Sequence, residues 1–219
     1  MKALLVDYDG TLAIVDEKEF AKTYFEYLRN FVEQNFSVTI SMKDILECVE
    51  HITLFADGRT NNYERFLNCF KSRYDVFLDW KTVFDRFYGS EAFDRLKELI
   101  RPNTSLISYL KACRSGGKKV VLATNPVFPK KAIVKRMNWI GLNESDFDLV
   151  THMENSHFCK PDPRYFLQIC SIIGVEPADC VMIGNDDLFD KACEKVSIKF
   201  VLVGEFHLGG DWDDSNAAE

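Results

Sequence analysis

The stretch Ala3-Leu4-Leu5-Val6-Asp7-Tyr8-Asp9-Gly10-Thr11-Leu12 decides how the rest of the chain is read. Four apolar residues in a row, closed by the turn formers Asp9-Gly10, suit a short strand buried on both faces, as parallel strands between helices are. Three later runs have the same form: Val120-Val121-Leu122-Ala123, Val181-Met182-Ile183 and Phe200-Val201-Leu202-Val203. Phe147-Asp148-Leu149-Val150 is a weaker fifth. Helix-like patterns lie between them, from Pro129 to Asn138, Pro163 to Ile173 and Leu188 to Val196. Strand, helix, strand repetition predicts an α/β fold built on an open parallel sheet with right-handed crossovers.

From about Asp16 to Ile100 strand-like runs vanish and apolar residues recur at three and four, as in Phe20, Tyr24, Tyr27, Leu28, Phe31 and again in Ile45, Cys48, Val49, Ile52. This spacing predicts a four- or five-helix module, residues 16–100, inserted into a sheet domain made of 1–15 and 101–208. Its dense aromatic residues are expected to form the module's own small core rather than a cofactor-stacking surface. The acidic segment 209–219 is expected to be a frayed tail.

The chain has 219 residues and a net charge of -7, with 34 acidic against 27 basic residues. That balance argues against nucleic acid or an anionic membrane surface as the main partner. No run approaches the roughly 18 apolar residues of a membrane-spanning helix. The opening apolar residues resemble the start of a signal peptide, but Asp7 and Asp9 cut them short, so a cytoplasmic protein is expected. Its 7 cysteines are scattered, with no Cys-x-x-Cys pair, and read as small buried hydrophobes in a reducing compartment.

Four segments could carry chemistry. In the first, Asp7 and Asp9 follow a buried strand at i and i+2, at the carboxyl end where open α/β sheets bind ligands. Two close carboxylates repel, which calls for a divalent cation or a raised pKa on one of them; an Asx turn closing the strand is the plainer reading. In the second, Thr124-Asn125 ends a strand with a hydroxyl and an amide that can donate hydrogen bonds to an oxyanion. In the third, Cys159-Lys160-Pro161-Asp162-Pro163 frames a lysine between two prolines, Pro163 being suited to a first helical turn. In the fourth, Gly184-Asn185-Asp186-Asp187-Leu188-Phe189-Asp190 sets three carboxylates after another strand, where Asp186 or Asp187 could equally cap a helix.

Acids, a hydroxyl and a fixed cation, each following a strand-like run and in this order, resemble the haloacid dehalogenase-like superfamily of phosphohydrolases. Its four motifs are an Asp-x-Asp-Gly-Thr loop, a strand-end Thr or Ser, a Lys often followed by Pro, and a final acidic loop. The resemblance implies a Rossmann-like core, spanning Lys2 to Val203, with an inserted α-helical cap of the subgroup I type. It also implies Asp7 as the nucleophile that becomes an aspartyl-phosphate, Asp9 as general acid and base, and Thr124, Asn125 and Lys160 as binders of the phosphoryl group. Mg²⁺ is the implied cofactor, with Asp7, Asp9 (through its backbone carbonyl) and Asp186 as ligands and Asp190 orienting either the metal shell or the lysine. One departure stands out: Asn185 occupies the place after Gly184 where the family commonly has Asp, which makes Asp187 a rival to Asp186.

An acid two residues after the nucleophile is what a C-O-P leaving group requires, so by this resemblance a phosphate ester or anhydride is favoured over a carbon-halogen bond. The resulting expectation is a Mg²⁺-dependent phosphatase acting on a small phosphorylated metabolite, as a monomer or homodimer without nucleic-acid or membrane partners. The alternatives are a phosphomutase of the same family, β-phosphoglucomutase-like, and a non-catalytic Mg²⁺- and phosphate-responsive module. The turn Asp57-Gly58-Arg59-Thr60-Asn61-Asn62 is the expected cap contact with the site, and Arg59 could pair with a substrate anion or simply be solvated.

Overall fold

The computed structural model describes residues 1–74 and 77–205, so the expected tail at 209–219 lies outside the described residues. Its strands are β1 (Ala3–Val6), β2 (Ala13–Ile14), β3 (Arg101–Pro102), β4 (Lys119–Leu122), β5 (Leu149–Val150), β6 (Cys180–Gly184) and β7 (Lys199–Leu202). Five of them form one parallel sheet in the order β5-β4-β1-β6-β7. β1 is central and all four of its residues are buried. Leu4 and Val6 face one core and Ala3 and Leu5 the other, the period of two that a strand covered on both faces imposes.

The helices are α1 (Glu17–Phe36), α2 (Met42–Leu54), α3 (Asn62–Lys71), α4 (Trp80–Tyr88), α5 (Glu91–Asp94), α6 (Thr104–Ser115), α7 (Lys130–Trp139) and α8 (Pro163–Ile173). Side-chain oxygens start most of them. Asp16 accepts from the amides of Lys18 and Glu19 at 3.0 and 3.1 Å, and Asn61 and Asp162 do the same for α3 and α8. None of the helices among the described residues is long and apolar enough to cross a membrane.

Helices α1 to α5 fill the interval between β2 and β3, which pair antiparallel with Ala13 opposite Pro102 and Ile14 opposite Arg101. The chain's exit to the helices and its return are thereby held together. Asn103 tightens this clamp, donating from its amide to the Leu12 carbonyl at 2.9 Å and from Nδ2 to the Thr11 carbonyl at 3.1 Å. The helices do not keep a core of their own: Phe20, Tyr24, Phe66, Phe84 and Phe87 are continuous with Leu4, Val6 and Leu122 of the sheet.

Three sequence expectations change. Residues 188–196 are a turn followed by a 3-10 helix, Lys191–Val196, because the Asp186 carboxylate takes the amides of Leu188 and Phe189 at 2.7 and 2.8 Å. The fifth strand shrinks to Leu149–Val150, since Phe147 closes a 3-10 turn. Helix α6 appears where no pattern had been read, with Leu106, Ile107, Leu110 and Cys113 buried.

Gly10 has φ +66, and a Cβ there would lie 2.2 Å from Asn185 Nδ2. Gly10→Ala is therefore expected to cost about 2 kcal/mol or more, from the left-handed backbone plus displacement of Asn185; urea unfolding of parent and variant measures it.

Candidate active site

The carboxyl ends of β1, β4 and β6 open on a cavity of about 240 Å³ lined by Asp7, Asp9, Thr124, Asn125, Lys160, Asp186 and Asp190, with Glu17 and Asn185 at its edge. Seven of the eight sequence-derived site residues meet here. At its floor lies a buried triad: Lys160, 1% exposed, donates to Asp7 Oδ1 at 2.7 Å and to Asp190 Oδ1 at 2.5 Å. Burial pushes the Asp7 carboxyl up to about 7; Lys160 opposes this, while the negative charges of Asp190 and Asp9 add to it. The two carboxylates hold the lysine in its charged form in spite of its burial.

The lysine's placement follows from its neighbours. The amide of Lys160 donates to Asn125 Oδ1 at 3.1 Å, so the second and third segments are tied together. Pro163 begins α8, whose Tyr165 hydroxyl donates to the Thr124 carbonyl at 2.8 Å.

Asp190 is 2% exposed, and its second oxygen accepts the amides of Asn185 and Asp186 at 3.1 and 3.2 Å. With both oxygens engaged, Asp190 braces Lys160 and the acidic loop. Gly184 makes this contact sterically feasible, because a Cβ there would fall 2.1 Å from Asp190 Oδ2. Asp187 is exposed and does not line the cavity, whereas its rival Asp186 does. Asn185 replaces a carboxylate by an amide that spans the rim: Nδ2 donates to Glu17 Oε1 at 3.0 Å, and Oδ1 accepts from Thr11 Oγ1 at 3.3 Å.

Among the described residues no three acidic, His or Cys side chains converge closely enough to cage a metal by themselves. The donors that face the cavity are oxygens, and its charged lining is five carboxylates against one ammonium. A hard dication that keeps much of its water and takes one or two carboxylates fits this set. Asp7 and Asp186 would hold it, with the backbone carbonyl of Asp9.

Asp9 itself has a partner that the sequence reading missed. Arg136 of α7, 1% exposed, donates from Nη2 to Asp9 Oδ1. Its guanidinium lies 4.6 to 5.0 Å from the ring centroids of Tyr8, Phe20 and Phe128, and the Tyr8 hydroxyl donates to the Arg136 carbonyl. Each of the paired acids thus has its own cation, Lys160 for Asp7 and Arg136 for Asp9.

Arg59 is not brought to the cavity. It stands in an exposed turn held by Asp57, whose Oδ1 accepts the Arg59 and Thr60 amides at 2.8 and 2.9 Å. The neighbouring α3 makes the contact instead. Fully buried Asn62 donates from Nδ2 to the Pro126 carbonyl at 3.2 Å and to Cys159 Sγ at 3.2 Å, and Arg65 donates to Asn62 Oδ1 and to the His157 carbonyl. The helices are thereby docked on the segments that carry Thr124 and Lys160.

The chain is similar to known proteins in sequence and fold. The chain is 32% identical over 89 residues to the phosphoglycolate phosphatase of Psychrobacter arcticus, 41% of this chain and 36% of that protein. It spans between about a third and a half of the length of the curated relatives it matches. Among solved structures it is similar to the HAD family enzyme bt-2542 of Bacteroides thetaiotaomicron in complex with magnesium and inorganic phosphate, with a TM-score of 0.56 at 15% identity, covering 97% of this chain and 98% of that one. The β-phosphoglucomutase of Clostridium difficile gives a TM-score of 0.54 at 20% identity, covering 91% and 83%. The family model described as haloacid dehalogenase-like hydrolase matches residues 1–188, and the chain belongs to that family.

Proposed function

We propose that this chain hydrolyses a small phosphate monoester in a Mg²⁺-dependent reaction through an aspartyl-phosphate on Asp7. The observation that carries this reading is the split between the two acids. Asp7 is fixed at the floor against the Lys160-Asp190 pair, while Asp9, two residues on, is 30% exposed at the side chain and held aside by Arg136. In this reading one carboxylate attacks and the other moves a proton.

In the first step an Asp7 oxygen attacks phosphorus as the bond to the leaving oxygen breaks, and Asp9 delivers its proton to that oxygen. In the second, Asp9 takes a proton from water, the water oxygen attacks phosphorus, and the Asp7-phosphorus bond breaks to release inorganic phosphate. Thr124 and Asn125 hydrogen-bond the equatorial oxygens, and Lys160 offsets their charge where it is greatest. A bound Mg²⁺ supplies further charge neutralisation and orients the phosphoryl group. Residues 16–100 serve as the cap that limits water at the site.

The test is incubation with a panel of phosphate esters, with Mg²⁺ or EDTA, followed by product analysis. Mg²⁺-dependent inorganic phosphate supports the proposal. An isomeric phosphate ester in its place identifies a mutase, and a thermal shift with Mg²⁺ and phosphate but no turnover identifies a binding module.

Arg136 provides a finer test. Removing the partner of the general acid should matter most when the leaving group needs a proton. Arg136→Met is expected to lower kcat by about 10²-fold on alkyl phosphates, and by under about tenfold on 4-nitrophenyl phosphate, whose leaving group departs without help. Equal losses on both would assign Arg136 a purely structural part.

A further inference from the structure

A second cavity, of about 250 Å³, runs from the site into the helical module, and Asp9, Glu17, Val127 and Phe128 line both. It begins at the acid that faces the leaving group. Its wall is aromatic and aliphatic, with Tyr24, Phe25, Val49, Phe66 and Phe84 among its residues, and the charged residues on it are Asp9 and Glu17. Tyr63 also lines it. That side chain is 5% exposed, its hydroxyl has no hydrogen-bond partner, and burial holds the phenol above its usual range and so protonated.

We infer that this cavity receives the leaving group, and that the substrate is the phosphate monoester of an apolar alcohol. The inference rests on the phosphatase reading and narrows it. A sugar or glycerol moiety would find carboxylate acceptors at the Asp9 and Glu17 end but would press its remaining hydroxyls against aromatic and aliphatic side chains. A glycolate carboxylate would meet Glu17 on a wall that carries no cation, since Arg136, the partner of Asp9, does not line the cavity. An apolar group gains from the same wall what it loses in water. A dry apolar cavity of about 150 Å³ takes up benzene; by that measure, 250 Å³ has room for a ring or chain of roughly six to ten carbons.

The experiment uses leaving groups of equal chemistry, ethyl, butyl and hexyl phosphate, so that only burial varies. We expect kcat/KM to rise by about fourfold per methylene, on the order of 10² from ethyl to hexyl. Ala21→Trp, a substitution at an exposed position on the cavity wall, should bring the hexyl-to-ethyl ratio toward one. A flat or falling alkyl series, or a ratio unmoved by Ala21→Trp, would overturn the inference while leaving the phosphatase standing. If no ester turns over, calorimetry with hexyl- and ethylphosphonate reads the same preference without chemistry. Tighter binding of the hexyl compound then upholds the cavity against a failed phosphatase reading, and equal binding sinks it.

Discussion

Asp7→Asn is expected to reduce phosphate release by about 10⁴-fold or more, and, without metal at pH 8, to leave a protein at least as stable as the parent. The first effect follows from removing the atom that bonds to phosphorus in the proposed mechanism. The second follows from the floor of the site, where two buried carboxylates share one ammonium. Burial raises the folded-state pKa of Asp7 to about 7 from the ordinary 3.8. The folded state therefore holds a proton that the unfolded chain releases, and between pH about 4 and about 7 the stability tied to this group falls as pH rises. Asparagine has no proton to lose there. Thermal midpoints in EDTA across pH 4 to 8 test this: the parent-minus-variant difference should decline through that window. Mg²⁺ should then raise the parent at pH 8 and have little effect on the variant, since the ion supplies the charge that the parent lacks. A difference that stays flat with pH would show that Asp7 is not strained by its surroundings.

In the proposed mechanism the site trades stability for chemistry, and the same trade explains what the sequence could reveal. Asp7, Thr124, Lys160 and Asp186 were legible because each sits beside the strand end or proline that places it, so local spacing carries the signal. Arg136 was not, because Lys130, Lys131, Lys135 and Arg136 together read as an ordinary solvated helix face. Its phase was the available clue: it falls with Ala132, Ile133 and Met137, the residues of α7 that are buried. Asn62 and Arg65 were hidden for a similar reason, since their partners are carbonyls and a sulfur some 60 to 100 residues away in the chain. The attractive candidate in that region, Arg59, was chosen for its charge, although its turn is closed by Asp57 within three residues. The aromatic residues of the helices were read as core, and they are, but the space they leave open became visible only when α1, α3 and α4 were packed together. The β2-β3 clamp is two residues long on each side, below the length at which alternation can be detected.

Lys160→Met should be the most damaging change to the fold and nearly as damaging to activity. It leaves Asp7 and Asp190, 7% and 2% exposed, facing each other without their cation. Breaking a buried pair in this way costs about 3 to 5 kcal/mol, and in a chain of this size that lowers the melting temperature by on the order of 10 °C. Phosphate release should fall by about 10³-fold, as when a transition-state charge loses its fixed partner. Instability alone could mimic inactivity, so a second substitution separates the two. In Lys160→Met with Asp190→Asn one uncompensated charge is gone, and the amide oxygen still accepts from the Asn185 and Asp186 backbone. Much of the stability should return while activity does not. Acidification should act in the same direction on the single variant, because protonating Asp7 relieves the repulsion. Recovery of activity along with stability in the double variant would mean that Lys160 merely balances Asp190 and contributes nothing to the phosphoryl group.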